Sequence, residues 1–169
     1  MAKATNWHPR DYASLADINA ELDRFEAAHN AGTIRTTGNW SAGQILEHCA
    51  NPIRFAIDGW RDEHGEAITF PPHMRIVGSL LLKPTIGRMK FKPGIKVPGG
   101  ARILLPQPEQ DFETGLSKIR TQMARLDAGE QMTQPSPLFG KMSHDKWTKL
   151  HLDHCRLHFG FIQCDTVAE

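Results

Sequence analysis

Three histidines crowd the end of the chain, in Leu150-His151-Leu152-Asp153-His154-Cys155-Arg156-Leu157-His158. At 3.6 residues per turn, His154 and His158 stand about 40° apart on one helical face, and two imidazoles one turn apart can grip one metal ion. Both fall where the helical period calls for apolar core residues. A third imidazole, His48, lies beside the apolar stripe of an earlier helix and faces inward or nearly so. Each neutral imidazole offers one nitrogen lone pair. Helical bundles build metal sites from inward side chains on facing helices. The residues therefore point to a mononuclear site of His48, His154 and His158. Three protein ligands leave a position open, the pattern of a catalytic rather than a closed structural site. That position would take water, with its pKa lowered toward neutrality, or a substrate oxygen or sulfur.

The ordinary alternative is that these are dipole-compensating or surface histidines near a helix C-terminus, with His48 a hydrogen-bonded core residue. His151, on the edge of the same face, is a fourth ligand or, more in keeping with its distance along the helix from His158, a rim residue. Glu47 and Asp153 are candidate acceptors for the free N–H groups of ligating histidines, or else exposed helix-face charges. Cys49 and Cys155 read as small apolar residues at helix interfaces.

Four amphipathic helices must position these groups. The first is expected from Ser14 to Asn30, with Ser14 as N-cap, Ala31-Gly32 as stop, and Leu15, Ile18, Leu22 and Phe25 as its stripe. The second begins at a capping box, Ser41-Ala42-Gly43-Gln44, stapled by Trp40 and Ile45. Its core stripe is Ile45, Cys49, Ile53, Ala56 and Trp60. Pro52 cannot donate to the His48 carbonyl, so a kink or local opening is expected there. A long connection follows from about Asp62 to Gln107. It holds one short apolar stretch, Met74 to Leu82, read as helical, and a Pro/Gly loop from Lys92 to Gly100. The third main helix is expected from Pro108 to Ala128, with Pro108 in the first turn and a seam of Phe112, Leu116, Ile119, Met123 and Leu126. The fourth is expected from Ser143 to Cys164, with an inward stripe of Trp147, Leu150, His154, His158 (or Leu157) and Phe161. Little or no sheet is expected. The fold class is all-α, a four-helix bundle with one long crossover, in a single domain over residues 1–169.

Composition bounds the function. The net charge of +1 gives no sign of electrostatic binding to nucleic acid or an anionic membrane. The longest apolar run, Ile76 to Leu82, is too short to span a bilayer. Three cysteines form no disulfide framework and no CxxC pair, which fits a reducing cytoplasm. HExxH, GxSxG, P-loop and GxGxxG motifs are absent.

The chain resembles the DinB/YfiT-like superfamily of bacterial four-helix bundles. The resemblance rests on Trp40-Ser41-Ala42-Gly43-Gln44-Ile45-Leu46-Glu47-His48, on His154-x-x-x-His158, and on Pro137-Leu138-Phe139-Gly140-Lys141-Met142-Ser143 followed by Trp147, Leu150 and His151. It covers nearly the whole chain. It implies up-down-down-up topology, a homodimer, and a divalent metal, zinc or nickel, on His48, His154 and His158. It also implies thiol S-transferase or thiol-dependent isomerase chemistry with a low-molecular-weight thiol such as bacillithiol or mycothiol. In one departure from the family pattern, Phe159-Gly160 follow His158 directly and Gln163 comes later, which leaves His151 and Cys155 as another pair at the same spacing.

The sequence thus reads as a metal-dependent enzyme that activates a thiol or water for transfer, isomerisation or hydrolysis on a small molecule. The competing readings are a non-catalytic metal- or ligand-binding bundle, serving as sensor or scaffold, and a purely structural dimer.

Overall fold

In the computed structural model, residues 6–62, 64–94 and 105–164 are described. Among the described residues the chain is mostly helical, with five α-helices and one short two-stranded antiparallel sheet. Helix α1 spans Leu15–Asn30 and α2 spans Ala42–Asp58. A short α3, Pro72–Ile76, runs into a π-helical turn, Val77–Leu82, and a 3-10 turn, Lys83–Thr85. Helix α4 spans Phe112–Asp127 and α5 spans His144–Phe159. Strand β1, Ile34–Thr36, pairs with β2, Ile162–Cys164, with Arg35 opposite Gln163.

The starts of α1 and α2 follow from local chemistry. Ser14 and Asp17 satisfy each other's backbone N–H groups, as do Ser41 and Gln44. Helix α2 continues through Pro52 without a break. The apolar stripes pack into one core: Ile18, Leu22 and Phe25 from α1, Ile45, Cys49, Ile53 and Ala56 from α2, and Phe112, Leu116, Ile119, Met123 and Leu126 from α4. Helix α5 adds Trp147, Leu150, Cys155 and Phe159.

Ion pairs and rings give the helix directions. Arg125 grips Asp58 with both terminal nitrogens, joining the C-terminal ends of α4 and α2, while Ser41 donates to the Gln110 carbonyl at their N-terminal ends. These two helices therefore run the same way. Helix α1 runs against α4, since Asn19 meets Asp127 and His29 meets Glu113. Helix α5 runs against α2, since His158 meets His48 and Trp147 meets Trp60.

Two boundaries differ from the sequence expectation. Helix α4 starts at Phe112, not Pro108, because Asp111 caps it by accepting from Thr114 N at 2.7 Å. The preceding residues dock on α2 instead, with Gln44 Nε2 donating to the Gln107 and Pro108 carbonyls. Helix α5 ends at Phe159, not Cys164. Trp7 Nε1 donates to the Leu157 carbonyl at 2.8 Å, and its ring lies so close to Gly160 that a Cβ there would sit 2.5 Å from Nε1. Beyond Gly160 the chain extends into β2, so the fold is not purely α. The loop expected from Lys92 to Gly100 lies outside the described residues from position 95 onward. No helix among the described residues is long and apolar enough to cross a membrane.

Helices α2 and α4 touch backbone to backbone at Gly43 and Gly115. A Cβ on Gly43 would lie 2.1 Å from the Asp111 carbonyl oxygen, and one on Gly115 would lie 2.3 Å from the Gly43 carbonyl oxygen. Helix propensity alone favours Gly115→Ala by about 1 kcal/mol, but overpacking a rigid contact costs about 1–3 kcal/mol or more. Gly115→Ala is therefore expected to lose net stability in urea unfolding. A variant as stable as wild type would show that the two helices are not in backbone contact.

Candidate metal centre

His48 sits two turns into α2, on the side that α2 turns toward α5, and is buried. His154 and His158 follow one another at one turn's spacing on α5 and are each half-buried. The antiparallel packing of the two helices brings all three together. His48 Nε2 lies 3.2 Å from His158 Nε2 and 3.1 Å from His154 Nε2. The three ligand atoms all lie within 4.8 Å of one another, so the group could hold a metal ion.

The donor set fits a cation. Zinc–imidazole bonds of about 2.0–2.1 Å in tetrahedral geometry put ligand nitrogens about 3.3 Å apart, and the two close pairs are near that value. His48 Nε2 carries either one proton or one lone pair, so it cannot make a full hydrogen bond to both His154 and His158 at once. Burial pushes the His154 imidazole well below its ordinary pKa, with the neighbouring His158, His48 and His151 adding to the shift. Burial, then His48, pushes His158 down to about 3. Both rings therefore present unprotonated nitrogens at neutral pH, the form that ligates metal.

Trp40 walls the group. Its ring stacks on His158 at 5.6 Å and 17°, and lies 4.7 Å from the His48 ring. Sequence reading assigned Trp40 only as a helix staple.

The two acidic neighbours are not partners of the histidines in any hydrogen bond among the described residues. Glu47, expected either to accept from a ligand or to lie exposed, is buried. It accepts from Gln107 N at 2.8 Å and from Lys118 Nζ. Asp153 accepts from Phe91 N at 2.6 Å and from Arg156 Nε at 2.7 Å, and Arg156 in turn donates 2.5 Å to the Phe91 carbonyl. These acids clamp the long crossover at two points, Phe91 within it and Gln107 at its end, beside the ligand positions.

His151 does not join the cluster. It is buried at 3% exposure, stacked on Trp147 at 5.4 Å and 5°, with no hydrogen-bond partner for either ring nitrogen among the described residues. Trp147 stacks in turn on Trp60, and the indole nitrogens of both are likewise without partners. Cys49 and Cys155 are buried as expected. Burial, reinforced by Cys155, raises the Cys49 thiol well above its ordinary range, so it stays protonated and inert.

Burial pushes the His151 imidazole down to about 3, with His144 adding to the shift. Between the unfolded value near 6.5 and about 3, the unfolded chain binds a proton that the folded chain refuses, so stability falls as pH falls through that window. His151→Phe keeps the ring stack and removes two unpaired nitrogens. In metal-free protein it is expected to be near neutral in stability at pH 7.5 and to exceed wild type by about 2 kcal/mol at pH 5. Urea unfolding at the two pH values checks this. Equal pH slopes for the two proteins would show that His151 protonates freely in the fold.

No curated protein and no solved structure matches the chain. Residues 9–164 match the family described as protein of unknown function (DUF1569). That match takes in every helix and all three converging histidines, and the chain belongs to this family.

Proposed function

We propose that this protein is a metal-dependent enzyme of DinB/YfiT-like kind, with the up-down-down-up bundle of that group. In this reading His48, His154 and His158 hold a divalent ion, zinc or nickel, and the reaction is thiol transfer, isomerisation or hydrolysis on a small molecule. The observation that carries the reading is the convergence of three Nε2 atoms from two helices, with contacts of 3.1 and 3.2 Å. The parallel α2 and α4, joined by the long crossover, support the DinB-like topology.

A divalent ion at this point supplies Lewis acidity, which lowers the pKa of a thiol or water brought against it toward neutrality. The protein's own groups set the conditions. The three imidazoles use one nitrogen each and, being neutral, leave a net positive charge at the site. Trp40 shields His48 and His158 from solvent on one side. The half-burial of His154 and His158 leaves an approach for a small molecule. A low-molecular-weight thiol is the proposed cosubstrate, and a homodimer the proposed assembly.

One observation favours a second reading, a metal-binding bundle without turnover. Glu47 and Asp153, the acids next to the ligands in sequence, are both engaged with the crossover, so neither stands ready as a base at the histidines. Turnover separates the two readings.

Protein purified without a polyhistidine tag is expected to carry close to one equivalent of zinc or nickel. His154→Ala and His48→Ala are expected to lose at least about tenfold in metal content. Conjugation assays with several low-molecular-weight thiols then read catalysis against the His48→Ala control. Wild type with less than about a tenth of an equivalent after metal supplementation, unchanged in the variants, would remove the metal reading. Full metal loading with no turnover on any thiol would favour the binding module.

A further inference from the structure

The net charge of +1 is the sum of two unlike parts. Between Ala67 and Pro108 the sequence has seven Lys or Arg residues and no Asp or Glu. The remainder has thirteen basic and nineteen acidic residues. The basic stretch is also where the fold leaves aliphatic side chains in water. Ile76, Val77, Leu80, Leu81 and Leu82 are 44–67% exposed, and Met89 is 66% exposed. Scattered exposed apolar residues are ordinary, but five within seven positions form a patch.

The geometry fixes this patch outward. A Cβ on Gly78 would lie 2.5 Å from the Leu138 carbonyl oxygen, so the π-helical turn sits with its Gly78 backbone directly on the 136–140 loop. Lys83 Nζ donates to the Lys141 carbonyl at the far end of the turn. One side of the turn is therefore occupied by the body of the protein, and its leucines project from the other. Arg75, Arg88 and Lys92 are exposed in the same stretch.

We propose that residues 72–92 form a docking surface for an anionic lipid bilayer, with the aliphatic side chains of the turn entering the acyl boundary and the flanking basic residues meeting the headgroups. Interfacial segments bind through buried apolar area together with positive charge, and they need no shape-complementary pocket. Lys90 is paired with Asp11 at 2.5 Å, and the excess of Arg75, Arg88 and Lys92 over acidic residues in the stretch favours an orientation with this face toward the anionic surface. A second copy of the chain is a poorer occupant. A two-fold contact would bring Arg75 and Arg88 of both copies against each other, with no acidic residue in the stretch to offset them. Such a surface runs against the expectation, drawn from net charge alone, that no anionic membrane is a partner. It is independent of the metal centre.

The experiment is co-sedimentation of the full-length, untagged protein with vesicles. One set is phosphatidylcholine with about 30% phosphatidylglycerol and the other is phosphatidylcholine alone, both at about 0.1 M salt. The protein is expected to pellet with the anionic vesicles at least about tenfold better than with the neutral ones. The Leu80→Ser/Leu81→Ser double variant, unchanged in charge and altered only at exposed positions, is expected to lose about tenfold or more of that binding. Its thermal unfolding, expected to match wild type, reports that the fold is intact. Absence of pelleting with either vesicle overturns the proposal. So does a serine variant that still binds, which would mark a general polyanion site. A solution dimer dissolved by the serine substitutions, without lipid binding, would assign the patch to a second copy instead.

Discussion

Helix α2 can carry a ligand to α5 only if its depth and rotation are fixed, and the Gly43–Gly115 contact fixes both. With no side chain on either residue, α2 and α4 meet backbone to backbone near their N-termini. Ser41 and Gln44 then tie the same end of α2 to Gln107, Pro108 and Gln110, while Asp58 and Arg125 tie the other end. Twelve of the seventeen residues of α2 are buried, so the helix is enclosed on nearly every side. A shift of one residue would turn His48 by about 100° away from α5. The approach of His48 to His154 and His158 is thus a consequence of packing that involves neither of those histidines.

The long crossover is bound into the same arrangement. It is held at Phe91 and at Gln107 by Asp153 and Glu47, which are the sequence neighbours of His154 and His48. Glu47 is buried and paired with Lys118 on α4. A buried pair of this kind adds little net stability, because desolvation offsets attraction, but removing either partner leaves an uncompensated charge. Its value here is positional: Glu47 reads the register of α2 against α4 and holds the returning chain at one point. The acids beside the ligands serve architecture, while the three histidines meet one another and two of them meet Trp40.

What the sequence made legible follows the range of the interactions. The capping boxes at Ser14 and Ser41 are complete within four residues, and both helix starts could be read from them. The core seam of α4 is periodic and could be read as well. The start of α4 could not, because a local rule favouring Pro108 lost to the docking of Gln107 and Pro108 on Gln44. The end of α5 depends on Trp7, some 150 residues earlier, and β1 and β2 are three residues each at opposite ends of the chain. Neither leaves a local trace. The ligand set was legible because two of its members share a helical turn and the third lies near the apolar stripe of α2. The stacking of Trp40 and the commitments of Glu47 and Asp153 belong to tertiary placement. Residues Ile76 to Leu82 were visible as an apolar run, but that they face water rather than the core is a property of the fold.

The histidine cluster that marks the sequence divides in space according to what surrounds each ring. His151 faces the Trp147 side of α5, fully buried and without a hydrogen-bond partner among the described residues, whereas His154 and His158 lie on the flank toward His48. Their positions at the core's edge, rather than within it, account for their being only half-buried although the helical period gives them apolar places. Burial enforces the neutral ring in all three, but with different consequences. For His151 it is purely a cost that grows as pH falls. For His154 and His158 the same desolvation keeps two lone pairs available beside a third. The energy that a buried imidazole loses by refusing a proton is recovered when a cation takes the proton's place, since ligation satisfies all the converging nitrogens, which the hydrogen bonds of His48 to the other two cannot do at once. Three imidazoles that could hold an ion therefore meet at the edge of the core, and their convergence rests on the packing of α2 between α4 and α5.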